Sequence, residues 1–280
     1  MKKMELPQDK WFTDGDLKLH YLDWGNSGAT PMLLVHGLCC EAHYWDFFAW
    51  SMRQDYHVIA IDQRGHGDSS WAGNYSPEQY VADLTKFVDK LELNDIVLIG
   101  HSLGAINVII YTATHPNRVA RLVIVDNGPE INAASLEQVK KRLANLPMVY
   151  DSEEEAVRQM EQESPYYSED YKRHLVKYTM KRGESGRLIF KYDPSLRHGE
   201  LVTLEWLWSY MERIVCPVLV VHGAESDLLL PAAARRMAET LPSASLVSIE
   251  CAGHFVMGDN PEAFEAAVRN FLRGYVEQSR

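Results

Sequence analysis

Residues 96–105 read Ile-Val-Leu-Ile-Gly-His-Ser-Leu-Gly-Ala. A serine with glycines two positions to either side can sit on a sharp strand-to-helix turn that exposes its hydroxyl. Such a turn holds Ser102 at strained backbone angles. Side chains at Gly100 and Gly104 would collide with neighbouring backbone. A helix starting at Leu103 would aim free N–H groups and the positive end of its dipole at the hydroxyl. That setting suits a nucleophile and an oxyanion developing on the carbonyl it attacks, with the Leu103 N–H as one donor. The spacing alone is a weak signal; the apolar run before it and the helical stretch after it give it weight. The competing reading makes Ser102 a plain helix cap.

A serine hydroxyl is a poor nucleophile without an adjacent base. The chain has 11 histidines. His254, in Cys251-Ala252-Gly253-His254-Phe255, follows the last strand-like run. The C-terminal ends of strands are where an α/β sheet presents its chemistry. His101 adjoins the serine and is expected to point into packing. His36 is expected to shape its loop, His66 falls in a turn, and His115 and His198 read as surface residues. Two aspartates could orient a base. Asp227 follows a strand and precedes a helix opened by Pro231, whereas Asp126 follows the run Arg121–Val125. Glu225 reads as solvated.

These residues need a frame. Short apolar runs recur at Met32–Val35, His57–Ile61, Asp95–Ile99, Arg121–Val125, Pro217–Val221 and Ala244–Ile249. Several lack alternation, as strands covered on both faces do. Helix-length stretches separate them: Pro77 to about Leu91 after a Ser76 cap, a stretch after Leu103 that stops near His115, and stretches opened by Pro231 and Pro261. Alternating strands and helices predict a mostly parallel twisted sheet of about eight strands flanked by helices, an α/β class. Residues Lys10 to Trp24 predict an antiparallel hairpin at its edge, turning at Asp14-Gly15. The alternation stops between Glu130 and Met211. Leu136–Leu146, Glu153–Glu161 and Leu201–Met211 read as helices of an insertion after the sixth strand. The predicted division is a core of residues 1–129 and 212–280 with a helical cap of residues 130–211.

The chain has 280 residues, 46% of them hydrophobic, and a formal charge of −11. That balance disfavours a nucleic-acid partner, which needs clustered Lys and Arg, and an anionic membrane surface. The polar N-terminus carries no signal-like apolar segment, and no apolar run approaches membrane-spanning length. Cys39, Cys40, Cys216 and Cys251 form no C-x-x-C pair. They read as reduced thiols of a cytoplasmic protein, and homo-oligomerisation is left open.

Four blocks in fixed order carry a family resemblance: Val35-His36-Gly37-Leu38, Asp62-Gln63-Arg64-Gly65-His66-Gly67-Asp68-Ser69, Gly100-His101-Ser102-Leu103-Gly104 and Gly253-His254-Phe255. The chain resembles the α/β-hydrolase superfamily over nearly everything outside the insertion, and the insertion is similar to that family's helical cap. One departure is Ala105, where many relatives carry a second glycine. The resemblance implies Ser102 as nucleophile, His254 as general base and Asp227 as the orienting acid, with Asp126 the alternative that some relatives use. It implies Leu38 N–H as the second oxyanion donor. It implies no metal and no organic cofactor, and it gives the glycine-rich Asp62–Ser69 loop a structural part, with Arg64 and Asp68 bonding nearby loops.

The expected activity is a serine hydrolase, carboxylesterase-like. It would cleave a small to medium, partly apolar ester, lactone or amide through an acyl-enzyme. Candidate pocket residues are His101, Cys39, Trp45 and Trp206. Alternatives are hydrolysis of a C–C bond in a vinylogous 1,5-diketone, cofactor-free perhydrolysis, and a ligand-binding relative without turnover. The first is weakened by Leu38-Cys39-Cys40-Glu41 standing where that group has Gly-Pro-Gly.

Overall fold

The computed structural model describes residues 4–163, 165–199 and 203–278. Its frame is an eight-stranded sheet. In chain order the strands are β1 (Gln8–Asp14), β2 (Leu17–Asp23), β3 (Pro31–Val35), β4 (His57–Ile61), β5 (Ile96–His101) and β6 (Val119–Val125). Of the strands that follow the insertion, two belong to this sheet, Val218–Gly223 and Ala244–Ile249. The spatial order is β1, β2, β4, β3, β5, β6, then Val218–Gly223 and Ala244–Ile249. The hairpin β1–β2 is antiparallel and turns at Gly15, whose φ of 57° suits a residue without a side chain. β2 meets β4 antiparallel, and the remaining pairings are parallel. The expected fold class is the observed one.

The unbroken apolar runs have a direct explanation. Leu33, Val35, Ile59, Ile61, Leu98, Leu122 and Ile124 join one buried cluster. Their immediate neighbours Met32, Leu34, Val58, Ala60, Val97, Ile99, Val123 and Val125 join another. Alternate side chains point to opposite faces of a strand, so each run fills two cores at once. Helices α2 (Pro77–Lys90) and α3 (Leu103–Thr114) cover the first face; α1 (Asp46–Met52) covers the second, together with the long C-terminal helix Pro261–Gln278. Pro77 opens α2 as expected, although the Ser76 side chain makes no capping bond.

Between β6 and the strand Val218–Gly223 the chain builds a separate layer. It holds α4 (Ala133–Asn145), β7 (Val149–Tyr150), α5 (Glu153–Glu163), α6 (Glu169–Thr179), β8 (Met180–Arg182) and β9 (Leu188–Phe190). The expected helical insertion also contains strands: β7, β9 and β8 form a small antiparallel sheet beside its helices. Strands of two or three residues are too short for their periodicity to show in a sequence. Helix α6 also went unanticipated; Ser168 caps it by accepting from Tyr171 N–H. The expected helix Leu201–Met211 begins outside the described residues. Its described part is a 3-10 turn Glu205–Leu207 and a single turn α7 (Trp208–Met211).

The chain then returns to the sheet through β10 (Val218–Gly223), α8 (Pro231–Thr240), β11 (Ala244–Ile249), α9 (Val256–Asp259) and α10 (Pro261–Gln278). Among the described residues, no helix is long and apolar enough to cross a membrane.

Candidate active site

Ser102 sits between β5 and α3 with φ 53° and ψ −116°, a conformation that side chains other than glycine rarely adopt. Two contacts fix it there. Its N–H donates to Val125 C=O of β6 at 3.1 Å, and its C=O accepts Ala105 N–H at 2.9 Å. The two glycines are required by approach distances. A Cβ on Gly104 would stand 2.2 Å from Val35 O, and one on Gly100 would stand 2.4 Å from Gly104 O. The start of α3 is therefore pressed against the end of β3. A Cβ on Gly37 would reach the Ser102 Cβ at 3.0 Å, so the loop carrying Leu38 runs beside Ser102. Leu38 and Leu103 both line the cavity over Ser102, and both are half-buried. Leu103 N–H stands at a helix start, where no intrahelical acceptor exists.

The loop after β3 is held from beneath. His36 donates from Nδ1 to Gly37 C=O at 2.7 Å and accepts Gln63 N–H at Nε2, 3.0 Å away. The Gln63 amide donates to His36 C=O and accepts from Asn107 of α3. In the Asp62–Ser69 loop, Arg64 makes a bidentate pair with Asp83 of α2 at 2.5 and 2.6 Å. Asp68 bonds Lys191 of the inserted layer.

His254 faces the same cavity as Ser102. Its Nδ1–H donates to Asp126 Oδ2 at 2.8 Å. A carboxylate oxygen accepts, so this bond selects the tautomer that leaves Nε2 as the basic nitrogen of the ring. Asp126 is fully buried at the end of β6 with φ 48°. It also accepts Gly223 N–H at 3.0 Å and the Ser226 hydroxyl at 2.5 Å. The assignment of Asp227 as the orienting acid is therefore corrected. Asp227 is exposed, and in the loop after β10 it is Ser226 that turns inward. Both aspartates follow the C-terminal ends of neighbouring strands, Asp126 directly after β6 and Asp227 in the loop beyond Gly223. Nothing in the sequence marked Ser226.

His101 is fully buried, and its Nε2–H donates to His254 C=O at 2.9 Å. Burial, with the His254 ring alongside, holds its basicity well below the usual imidazole range. It lines the cavity, as do Cys39 and Cys40. The other two pocket candidates do not. Trp45 is wholly buried on the far face of the sheet against Phe48 and Phe264. Trp206 is 38% exposed and packs edge-on against Tyr210. Its neighbours Leu207 and Met211 are spent on the core.

The cavity over Ser102 encloses about 270 Å³. The inserted layer supplies much of its wall, including Leu136, Val139, Leu143, Met160, Phe190 and Tyr192. A second cleft, about 340 Å³, opens on the other side of His254 and carries Glu225 and Asp227. Among the described residues, the clusters with ligand geometry for a cation lie away from Ser102. In one of them, His20–Asp62–Asp68, the Asp62 carboxylate is already saturated by His20, Ala42 N–H and Asp68 N–H.

A family model described as the alpha/beta hydrolase fold matches residues 30–261. The chain belongs to the α/β-hydrolase family. Within this family it is 28% identical over 281 residues to a non-heme chloroperoxidase of Streptomyces lividans, covering 93% of this chain and 98% of the relative. It is 26% identical over 261 residues to an esterase of Mycobacterium tuberculosis, covering 90% and 85%. Among solved structures, E-2-(acetamidomethylene)succinate hydrolase superposes with a TM-score of 0.87 at 23% identity, covering 95% of this α/β-hydrolase and 99% of that chain.

Proposed function

We propose that this α/β-hydrolase is a serine esterase that cleaves carboxylic esters with a small to medium apolar acyl group. The observation that carries the reading is the His254–Asp126 hydrogen bond, formed at the rim of the apolar cavity that also exposes the strained Ser102. In this reading Ser102 Oγ attacks the ester carbonyl and passes its proton to His254 Nε2. Asp126 holds the ring and stabilises the imidazolium. The Leu38 and Leu103 N–H groups receive the oxyanion. The imidazolium then protonates the leaving alcohol, and a water molecule activated by the same nitrogen releases the acid. Residues 130–211 act as the cap that shapes the acyl site. A volume near 270 Å³ lies just below the usual span of ligand pockets, roughly 300–1,000 Å³, and so suits a small acyl group. The esterase likeness supports the reading. The chloroperoxidase likeness supports a second use of the same acyl-enzyme, with hydrogen peroxide in place of water. Four cysteines without bridges support a reducing, cytoplasmic setting.

A fluorophosphonate probe tests the nucleophile. Labelling of the wild type and none of Ser102→Ala is expected, together with turnover of short 4-nitrophenyl esters that declines as the acyl chain outgrows the cavity. A wild-type protein that neither labels nor hydrolyses any ester of the series would overturn the assignment.

A further inference from the structure

We propose that His43, Asp46 and His174 bind one divalent transition-metal ion, of the zinc class, which ties the inserted layer to the core. His43 lies in the 3-10 turn Ala42–Trp45, and Asp46 is the first residue of α1. His174 comes from α6 of the inserted layer. His43 Nδ1 is 2.7 Å and His174 Nε2 is 2.9 Å from the same oxygen, Asp46 Oδ2. All three ligand atoms lie within 4.8 Å of one another. Their side chains are 8%, 0% and 10% exposed.

Hydrogen bonding alone leaves the cluster incomplete. Both imidazoles bond to one carboxylate oxygen, while the other, Asp46 Oδ1, is buried without a hydrogen-bond partner among the described residues. A buried acceptor left unpaired is costly. A cation placed between the two rings and the carboxylate engages that charge and leaves a fourth position for Oδ1 or water. Two imidazole nitrogens with one carboxylate oxygen are a donor set that zinc accepts, whereas calcium and magnesium prefer oxygen alone. Zinc–ligand bonds of about 2.0–2.1 Å put tetrahedral ligand atoms about 3.3 Å apart, so each ring withdraws from Asp46 by about half an ångström and the two ring nitrogens settle at that same separation. On binding, each neutral ring shifts its proton to the other nitrogen, and a charged ring releases one proton.

The surroundings are those of a closed site. Tyr178 stacks on His43 with ring centroids 3.9 Å apart, and Phe47 meets His174 edge-on at 5.1 Å. A further contact between the same two layers lies next to it, with the Tyr171 hydroxyl donating to Tyr44 C=O at 3.1 Å. Tyr44 lines the cavity over Ser102. An ion at this site braces the wall of that cavity without reaching its chemistry.

The test uses the full chain, stripped with a chelator and dialysed. Zinc chloride is titrated by calorimetry, cobalt chloride by visible absorption, and melting temperature is followed with and without zinc. One equivalent is expected to bind, with the intense bands of four-coordinate cobalt and a melting temperature raised by zinc. His174→Ala and His43→Gln are expected to weaken binding by about a hundred-fold or more and to abolish the thermal response. Circular dichroism checks that each variant folds; if one does not, the other carries the comparison. A Cys39→Ser/Cys40→Ser variant is expected to bind as the wild type does. Absence of stoichiometric binding overturns the proposal. So does equal binding by the folded histidine variants, or binding lost only with the two thiols.

Discussion

At the scale of single residues, the site turns on which carboxylate meets His254. Asp126 Oδ2 receives both the ring N–H and the Ser226 hydroxyl, while Oδ1 receives Gly223 N–H. That leaves the carboxylate no freedom to rotate away from the imidazole. Asp126→Asn keeps the shape but presents an amide where an acceptor is needed, which favours the wrong tautomer. A comparable exchange in a Ser-His-Asp enzyme costs about 10⁴ in kcat. The expected outcome is a loss of that order for Asp126→Asn on a 4-nitrophenyl ester, against a change of a few-fold or less for Asp227→Asn. The reverse order would return the role to Asp227. Ser226→Ala removes one of the three bonds and is expected to lower kcat by about ten-fold, the worth of one hydrogen bond to a charged group, with KM nearly unchanged.

At the scale of elements, the position of Ser102 is a property of close backbone contacts. Helix α3 starts against the end of β3 because Gly104 leaves room for Val35 C=O, and the loop beyond β3 passes Ser102 because Gly37 is bare. These approaches bring Leu38 and Leu103 to one cavity. Gly104→Ala must separate helix from strand, since its Cβ would meet rigid backbone at 2.2 Å. The expected result is a folded protein whose kcat falls by about a hundred-fold or more, the effect of losing one oxyanion donor. Stopped-flow measurement of the acylation burst would locate the loss in the chemical step. An unchanged burst rate would mean that the two donors do not act together.

At the scale of the whole molecule, folding encloses several histidines in their neutral form. His66 is fully buried. It donates from Nδ1 to Arg64 C=O and has no hydrogen-bond partner at Nε2 among the described residues. Burial, with the His36 ring beside it, pushes its pKa down to about 3. In the unfolded chain an imidazole takes up a proton below about pH 6.5. Between that pH and about 3 the unfolded state therefore holds the extra proton, and stability falls as pH falls, by about 1.4 kcal/mol per unit for one such group. His36 and His101 are shifted in the same direction by burial and add to the slope, while buried Glu41, pushed up to about 8, opposes it with a single proton. Urea denaturation at pH 6.5, 5.5 and 4.5 is expected to give steadily lower stability. A flat profile over that range, in the wild type and in a Glu41→Gln variant alike, would show that these rings are not held neutral.

The local pattern of residues is enough to determine the sheet, the elbow at Ser102 and the loop of His254. Doubly buried strands must be apolar without alternation, a strained turn needs its glycines, and Pro77, Pro231 and Pro261 mark helix starts. Each of these signals is carried by neighbouring residues of the sequence. The tertiary structure decided what local pattern cannot express. Asp126 and Asp227 both follow the C-terminal ends of neighbouring strands, and packing of the loop after β10 turned Ser226 inward and Asp227 outward. Trp45 and Trp206 carry the right chemistry for a pocket, yet one fills the core beneath the sheet and the other faces solvent. The short strands of the inserted layer exist because they pair with one another across gaps in sequence. Side-chain direction and long-range pairing are set by what lies opposite in space, and a linear pattern does not contain that information.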